Sequence, residues 1–174
     1  MDTNSPFFPS EDYKIPSNSN YFKFKDGENT FRVLSSAIVG YEYWNNEGKA
    51  VRSRTAFGAI PADIRTGDDG KPERIKHFWA FLVWNYEQKQ PQILQLTQKG
   101  VMEAIKALVD NTKWGNPTGY DITVSRTGSG LETKYQTMPS PHTMVPGDAV
   151  AAMEGRTIDL EKMFEGGDPF EVKA

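Results

Sequence analysis

Residues 75–86 form a mostly hydrophobic stretch that carries five aromatic rings. Such a density of rings over a short length is typical of a β-strand, so we predict a central strand here. Alternation divides the side chains into two faces, one with His77, Trp79, Phe81 and Val83 and the other with Lys76, Phe78, Ala80, Leu82, Trp84 and Tyr86. One face serves the core. The other is either covered by more protein or forms a platform on which nucleobases stack, and the pattern does not decide which face is which.

Shorter alternating segments on both sides of this stretch predict further strands, at residues 21–24, 30–34, 37–44, 50–54, 92–96, 120–126 and 131–137. The segment at 92–96 is expected to pair with the central strand as a hairpin, and residues 127–130 are expected to turn a second hairpin. Apolar residues at helical spacing predict one amphipathic helix over residues 98–110, with Thr97 as its N-cap. Weaker helical patterns lie at 149–154 and 158–164.

Several strands, a helix inserted after a central hairpin and a final hairpin follow one another in an order compatible with a small barrel. We therefore expect a mainly β protein with an OB-fold-like five-stranded Greek-key barrel, one inserted α-helix and flexible acidic termini. The clusters of Pro, Ser, Asn and Gly divide the chain into a flexible N-terminal arm at 1–19, an OB-fold domain at 20–141 and an acidic C-terminal tail with short helical segments at 142–174.

Composition narrows the class of protein. With 174 residues, 37% of them hydrophobic and 25% charged, the chain suits a single soluble domain with appendages. It contains no run of about 18 apolar residues, and its N-terminus lacks a basic-then-apolar signal, so we expect a cytoplasmic protein with no membrane partner. The absence of cysteine excludes disulfides, thiolate zinc sites and a cysteine nucleophile. We expect no metal and no cofactor.

Charge is distributed unevenly along the chain. Residues 1–20 carry −2 (one cation, three carboxylates), residues 21–135 carry +3 (16 cations, 13 carboxylates) and residues 136–174 carry −4 (three cations, seven carboxylates). A mildly basic middle between acidic ends suits an anionic partner for the middle, although ordinary solvated surfaces would give the same totals.

Cations and aromatic rings occur close together in this basic middle. A binder of single strands that tolerates any sequence needs cations for phosphates and rings for bases, each stacked base being worth about 1–3 kcal/mol. The candidate residues for such contacts are Tyr41, Tyr43, Trp44, Lys49, Arg52, Arg54, Arg74, Lys76, His77, Trp79 and Phe81. Alternatively, Tyr41 and Tyr43 fill the barrel while the arginines are solvated edge residues.

Three strings of residues resemble bacteriophage single-stranded DNA-binding proteins. They are DGENTFRVL at 26–34, FWAFLVWNY at 78–86, and GYDITV at 119–124 leading into GSGLETKY at 128–135. The similarity spans roughly residues 21–141. It implies an OB-fold that coats and protects single-stranded DNA during replication, recombination or repair, in the host cell cytoplasm if the chain is phage-encoded. Zinc is not carried over, because the cysteine and histidine ligands of the zinc-containing members are absent. The N-terminal arm is acidic rather than basic, which leaves self-association on DNA open.

The resemblance also implies an acidic C-terminal tail that contacts replication or recombination proteins. Here acidic and apolar residues are mixed, and the candidate partner-binding residues are Asp159, Glu161, Phe164, Asp168 and Phe170. Such a tail imitates a polyanion, so it would compete with DNA for a basic groove, and deleting residues 148–174 would then tighten DNA binding. The alternative is that the tail packs on the barrel or is inert.

The sequence also bears on two other classes of protein, enzymes and protein-interaction adaptors. No phosphate-binding lysine loop and no Ser-His-Asp or Cys-His set is visible, so we expect no enzymatic activity. A carboxylate cluster at Asp63, Asp68, Asp69 and Glu73 could hold magnesium, but a loop this rich in Gly and Asp is more often solvated. The alternative function is a non-catalytic protein-interaction adaptor or structural protein that uses the aromatic sheet face.

Overall fold

The structure is a computed structural model that describes residues 6–8, 10–11 and 19–171. The strands are β1 Gly27–Val33, β2 Ile38–Trp44, β3 Ala50–Ser53, β4 Lys76–Asn85, β5 Gln90–Leu96, β6 Asp121–Thr127 and β7 Lys134–Pro139. The α-helices are α1 Lys99–Asp110 and α2 Gly147–Met153. Short 3-10 helices lie at Pro117–Gly119, Gly130–Glu132 and Leu160–Glu165. Most of the expected arm at 1–19 falls outside the described residues.

The strands form a single antiparallel sheet in the order β3-β2-β4-β1-β6-β7, and β5 also pairs with β4. Along one edge of β4, the first half pairs with β2 and the last residues pair with β1, while β5 runs along the other edge. In the part of the chain that the structure describes, these pairings do not close the sheet. The protein is therefore mainly β as predicted, with seven strands instead of five, and neither a barrel nor a Greek-key OB-fold is confirmed.

Most predicted elements are confirmed. The aromatic stretch is β4, it pairs with β5 as a hairpin, and the single amphipathic helix is α1. Two details are wrong. Gln98, not Thr97, is the N-cap of α1, and it makes no side-chain capping bond. The segment at 21–24 is not a strand, since only Tyr21 forms an isolated bridge, to Ile93.

Beyond its first two residues, β4 is largely buried on both faces, and each face belongs to a different hydrophobic cluster. The first cluster lies between the sheet and α1 and includes Phe31, Phe81, Val83, Leu96, Ile105 and Ile122. The second lies on the opposite face and includes Phe78, Ala80, Leu82, Ile93, Leu160 and Met163. Because two clusters share one sheet, the aromatic rings of β4 are explained largely by packing.

The second cluster is completed by what we call the C-terminal segment, residues 147–171. Leu160 and Met163 are buried in it, and Phe164 and Phe170 pack against it. The segment therefore belongs to the hydrophobic core instead of extending from it. Among the described residues, no helix is both long and apolar enough to cross a membrane.

Candidate nucleic-acid interface

Three rings remain accessible where β2 and β4 pair, on the face of the sheet that leads to α1. Tyr41 lies opposite His77 in the register, and their ring centroids are 5.1 Å apart. Trp79 is two residues further along β4 on the same face, opposite Val39, which is 49% exposed. His77 is exposed, and Tyr41 and Trp79 are half-buried. We call Val39, Tyr41, His77 and Trp79 the aromatic face.

A groove of about 530 Å³ runs between the start of β4 and α1, beside the aromatic face. Its lining, which we call the basic groove, consists of Arg74, Lys76, His77, Trp79, Thr97, Lys99, Met102, Glu103 and Lys106. Four side chains in this lining are lysine or arginine and one is acidic. The groove therefore combines a positive charge with two of the accessible rings, as a polyanion with flat bases requires.

The cations on the β4 side of the groove have no acidic partner among the residues that the structure describes. Arg74 and Lys76 are both exposed. No carboxylate among the described residues lies within ion-pair distance of either. Their positive charges are thus available to an anionic ligand, which makes these two residues, together with His77 and Trp79, the best-placed of the predicted candidates.

Sequence reasoning missed the cations on the α1 side of the groove, Lys99 and Lys106. Lys99 forms an ion pair of 3.8 Å with Glu103, and Lys106 pairs with Asp110. The available signal was their spacing. Residues seven apart in a predicted helix lie about two turns apart on the same side, so both lysines could have been assigned to one face.

Two predicted stacking residues lie inside the fold. Phe81 is only 4% exposed and belongs to the cluster beneath α1. Tyr43 is 7% exposed, and its hydroxyl donates a hydrogen bond of 2.9 Å to Asp63 Oδ1. Burial, followed by the bond to this carboxylate, raises the pKa of Tyr43. Neither ring presents a surface to a base, so we leave both out of the interface.

Arg52 shares a face with Arg54, as alternation predicts, but that face is opposite to the one of Tyr41. Arg52 Nε donates to Glu42 Oε2 at 2.8 Å, and Nη2 donates to Gln95 Oε1 at 3.1 Å. The side chains of Arg52 and Glu42 are 12% and 6% exposed. Arg52 is therefore a partner in a buried ion pair instead of a phosphate contact.

Arg54 contacts the C-terminal segment. It forms an ion pair with Glu161, and its guanidinium lies 4.6 Å from the centroid of the Phe164 ring. Both charged side chains of this pair are more than half exposed, at 61% and 53%. Arg54 thus holds the segment against the sheet at the surface.

Trp44 and Lys49 lie away from the aromatic face. Trp44 is 38% exposed, and the guanidinium of Arg65 lies 5.4 Å from the centroid of its ring. Alternation along β2 directs Trp44 to the side opposite Tyr43. Lys49 is exposed and forms an ion pair of 3.7 Å with Glu47. These residues could meet only a ligand that extends around the end of β2.

The other candidate residues of the C-terminal segment have local structural roles. Asp159 Oδ1 accepts a hydrogen bond from the backbone N–H of Glu161, and Asp168 Oδ1 accepts one from that of Phe170. The guanidinium of Arg156 lies 6.0 Å from the centroid of the Phe170 ring. The carboxylates of Asp159 and Asp168 are exposed while the rings pack against the core, so the segment presents these carboxylates to a partner.

The acidic residues of the loop at 63–73 do not form a metal site in the described structure. Asp63 accepts from Tyr43, Glu73 pairs with Arg65 at 2.9 Å, and Asp69 accepts from the backbone N–H of Lys71. Within the described ranges, no group of three or more acidic or histidine side chains is arranged to hold a metal ion.

No protein-family model, curated protein or solved structure matches this chain. The geometry of the aromatic face and the basic groove is therefore the basis for a functional proposal.

Proposed function

We propose that this protein binds single-stranded DNA without strong sequence preference, through the aromatic face and the basic groove. Coating strands in this way would keep them unpaired for replication, recombination or repair. The observation that carries the proposal is the pairing of accessible rings, Tyr41, His77 and Trp79, with two cations, Arg74 and Lys76, that have no described acidic partner.

The two kinds of side chain supply the two terms that such binding needs. Lysine and arginine neutralise phosphates and release counterions, which makes the affinity depend on salt. Rings stack on bases of any sequence because every base has a flat face. A duplex hides its base faces by stacking them on one another, so it would gain only the phosphate term. The arrangement therefore favours single strands.

We also propose, more specifically, that the antiparallel sheet adopts an OB-type fold. It is supported by β4, which divides one edge between β2 and β1, and by α1, which follows the β4–β5 hairpin. A long strand shared between two neighbours in this way suits a curved sheet whose face and loops hold an oligonucleotide.

Recruitment of replication or recombination proteins through the C-terminal segment is part of the proposal as well. The segment would present its exposed carboxylates, among them Asp168 and Glu171, and retain its rings in the core. A partner would then recognise a folded acidic surface.

The proposal is tested by fluorescence anisotropy of labelled oligo(dT) and of a duplex of equal length, at several salt concentrations. We expect tighter binding of the single strand, with log K falling as log salt rises. The variant Arg74→Gln/Lys76→Gln should reduce the magnitude of that slope by about 1.4, since each phosphate contact contributes about 0.7. Lys49→Gln, in an exposed position away from the groove, is the matched control. Absence of binding to any single strand would favour the protein-interaction adaptor.

A further inference from the structure

The basic groove has two walls, and only one of them belongs to the sheet. Helix α1 contributes Lys99 and Lys106 to the lining of the same groove as Arg74 and Lys76. The two lysines are seven residues apart, which places them about 10.5 Å apart along the helix axis on the same side. A polymer with regularly spaced charges could contact both.

The ion pairs that these two lysines form are exposed to solvent and therefore weak. The side chains of Lys99 and Glu103 are 89% and 68% exposed, and those of Lys106 and Asp110 are 66% and 60% exposed. Exposed pairs contribute little to stability. In both pairs the lysine precedes the acid by four residues, which is the less favourable order on a helix. A phosphate can therefore displace either carboxylate at low cost.

Lys99 also occupies a position that a helix does not favour. It is the first residue of α1, where the positive end of the helix dipole repels a cation. The first turn contains no acidic residue. A lysine placed against local helix preference is better explained by a ligand than by stability.

We propose that α1 is the second wall of the nucleic-acid site, with Lys99 and Lys106 as phosphate contacts and Glu103 as an acidic residue that weakens binding. This inference rests on the proposed function and specifies the ligand. A single strand lies lengthwise between helix and sheet, with its phosphates between the cations of the two walls and its bases toward Trp79. Glu103 limits the affinity because it repels the same phosphates that Lys99 attracts.

The test compares salt slopes for oligo(dT) binding to the full chain and to Lys99→Gln/Lys106→Gln. Removing two phosphate contacts should reduce the magnitude of the slope by about 1.4. Lys25→Gln is the matched control, because Lys25 is an exposed lysine, paired with Glu87 at 3.2 Å, that lines a different cavity. The control should keep the slope of the unmodified protein. Equal effects of the control and the double variant would overturn the inference.

Glu103→Gln provides an independent test, in which the affinity for oligo(dT) should rise instead of fall. Removing the repulsion between Glu103 and a bound phosphate should tighten oligo(dT) binding about fivefold at low salt, as expected for two unit charges about 4 Å apart in water, and the gain should vanish as salt rises. If the unmodified protein binds no single strand, the proposed function itself fails. A different outcome is that the unmodified protein binds, with Lys99→Gln/Lys106→Gln showing the same salt slope and Glu103→Gln the same affinity for oligo(dT) as the unmodified protein. In that case α1 is not a wall of the site.

Discussion

The ring of Phe164 packs directly against Gly40, in the space that a side chain on β2 would otherwise fill. A Cβ atom at position 40 would lie 2.9 Å from Phe164 Cε1 and 2.5 Å from the carbonyl oxygen of Ser53. A side chain this close to backbone cannot be accommodated by rotation alone. The contact fixes how closely the C-terminal segment approaches the sheet.

Gly40→Ala should therefore lower the free energy of unfolding by about 1–3 kcal/mol, the usual cost of overpacking a core. Urea denaturation followed by far-UV circular dichroism measures this change. Gly58→Ala is the matched control, because a Cβ atom there would meet nothing within 4 Å. If both variants unfold at the same urea concentration, Phe164 does not pack as described.

A second prediction concerns the C-terminal segment as part of the core. Met163 is 1% exposed, so Met163→Ala should remove about 2–5 kcal/mol from the free energy of unfolding by leaving a cavity. Met144, which is 92% exposed, supplies the control Met144→Ala, whose stability should stay close to that of the unmodified chain. Equal stability of the two variants would mean that residues 147–171 behave as a separate tail.

The sequence predicted the strands and helices better than the long-range contacts that bury their faces. The density of aromatic rings that identified β4 is local, so residues 75–86 alone predicted the strand. It could not show that Phe78 would pack in one cluster with Met163 and that Phe81 would pack in another with residues of α1, because these clusters join distant parts of the chain. A strand with rings on both faces looks the same whether one face binds a ligand or both are packed.

The same limit applies to the candidate site. Alternation correctly placed Arg52 and Arg54 on one face, but their carboxylate partners, Glu42 and Glu161, lie on other elements. Arg74 and Lys76 were found from their closeness in sequence to the aromatic stretch. Lys99 was missed because the groove is formed only when α1 packs across the sheet.

The Arg52–Glu42 pair gives a third prediction. Arg52→Ala leaves a carboxylate that is 6% exposed without its guanidinium partner, and we expect a loss of about 3–5 kcal/mol in the free energy of unfolding. Lys49→Ala breaks a pair in which both side chains are 75% exposed and should change stability by less than about 1 kcal/mol. Chemical denaturation of both variants measures these two changes in the free energy of unfolding. An Arg52 variant as stable as the Lys49 variant would show that the first pair is not buried in solution.

The fourth prediction is a loss of stability in alkali. Burial, and then the hydrogen bond of 2.6 Å that its hydroxyl donates to Asp121 Oδ1, raises the pKa of Tyr86 to about 12. In the unfolded chain this tyrosine ionises near its ordinary pKa of about 10. Between these values the unfolded state loses a proton that the folded state retains. The free energy of unfolding should therefore be constant with respect to this group below pH 10 and fall as the pH rises toward 12.

Tyr86→Phe removes that contribution, so the stability of the variant should fall less steeply over the same range of pH. The slope should not vanish, because the pKa values of Tyr43 and Tyr120 are raised as well. Urea denaturation at a series of alkaline pH values measures the slopes. Identical slopes for the variant and the unmodified chain would exclude Tyr86 as a source of the pH dependence.

The most direct test of the central claim is a titration of intrinsic tryptophan fluorescence with oligo(dT), performed on the unmodified chain, on Trp79→Phe and on Trp44→Phe. The account predicts quenching of the unmodified chain that weakens with salt, similar quenching of the Trp44 variant, and a largely lost signal in the Trp79 variant, since Trp79 borders the basic groove. Absence of quenching in the unmodified chain, or undiminished quenching in Trp79→Phe, would contradict it.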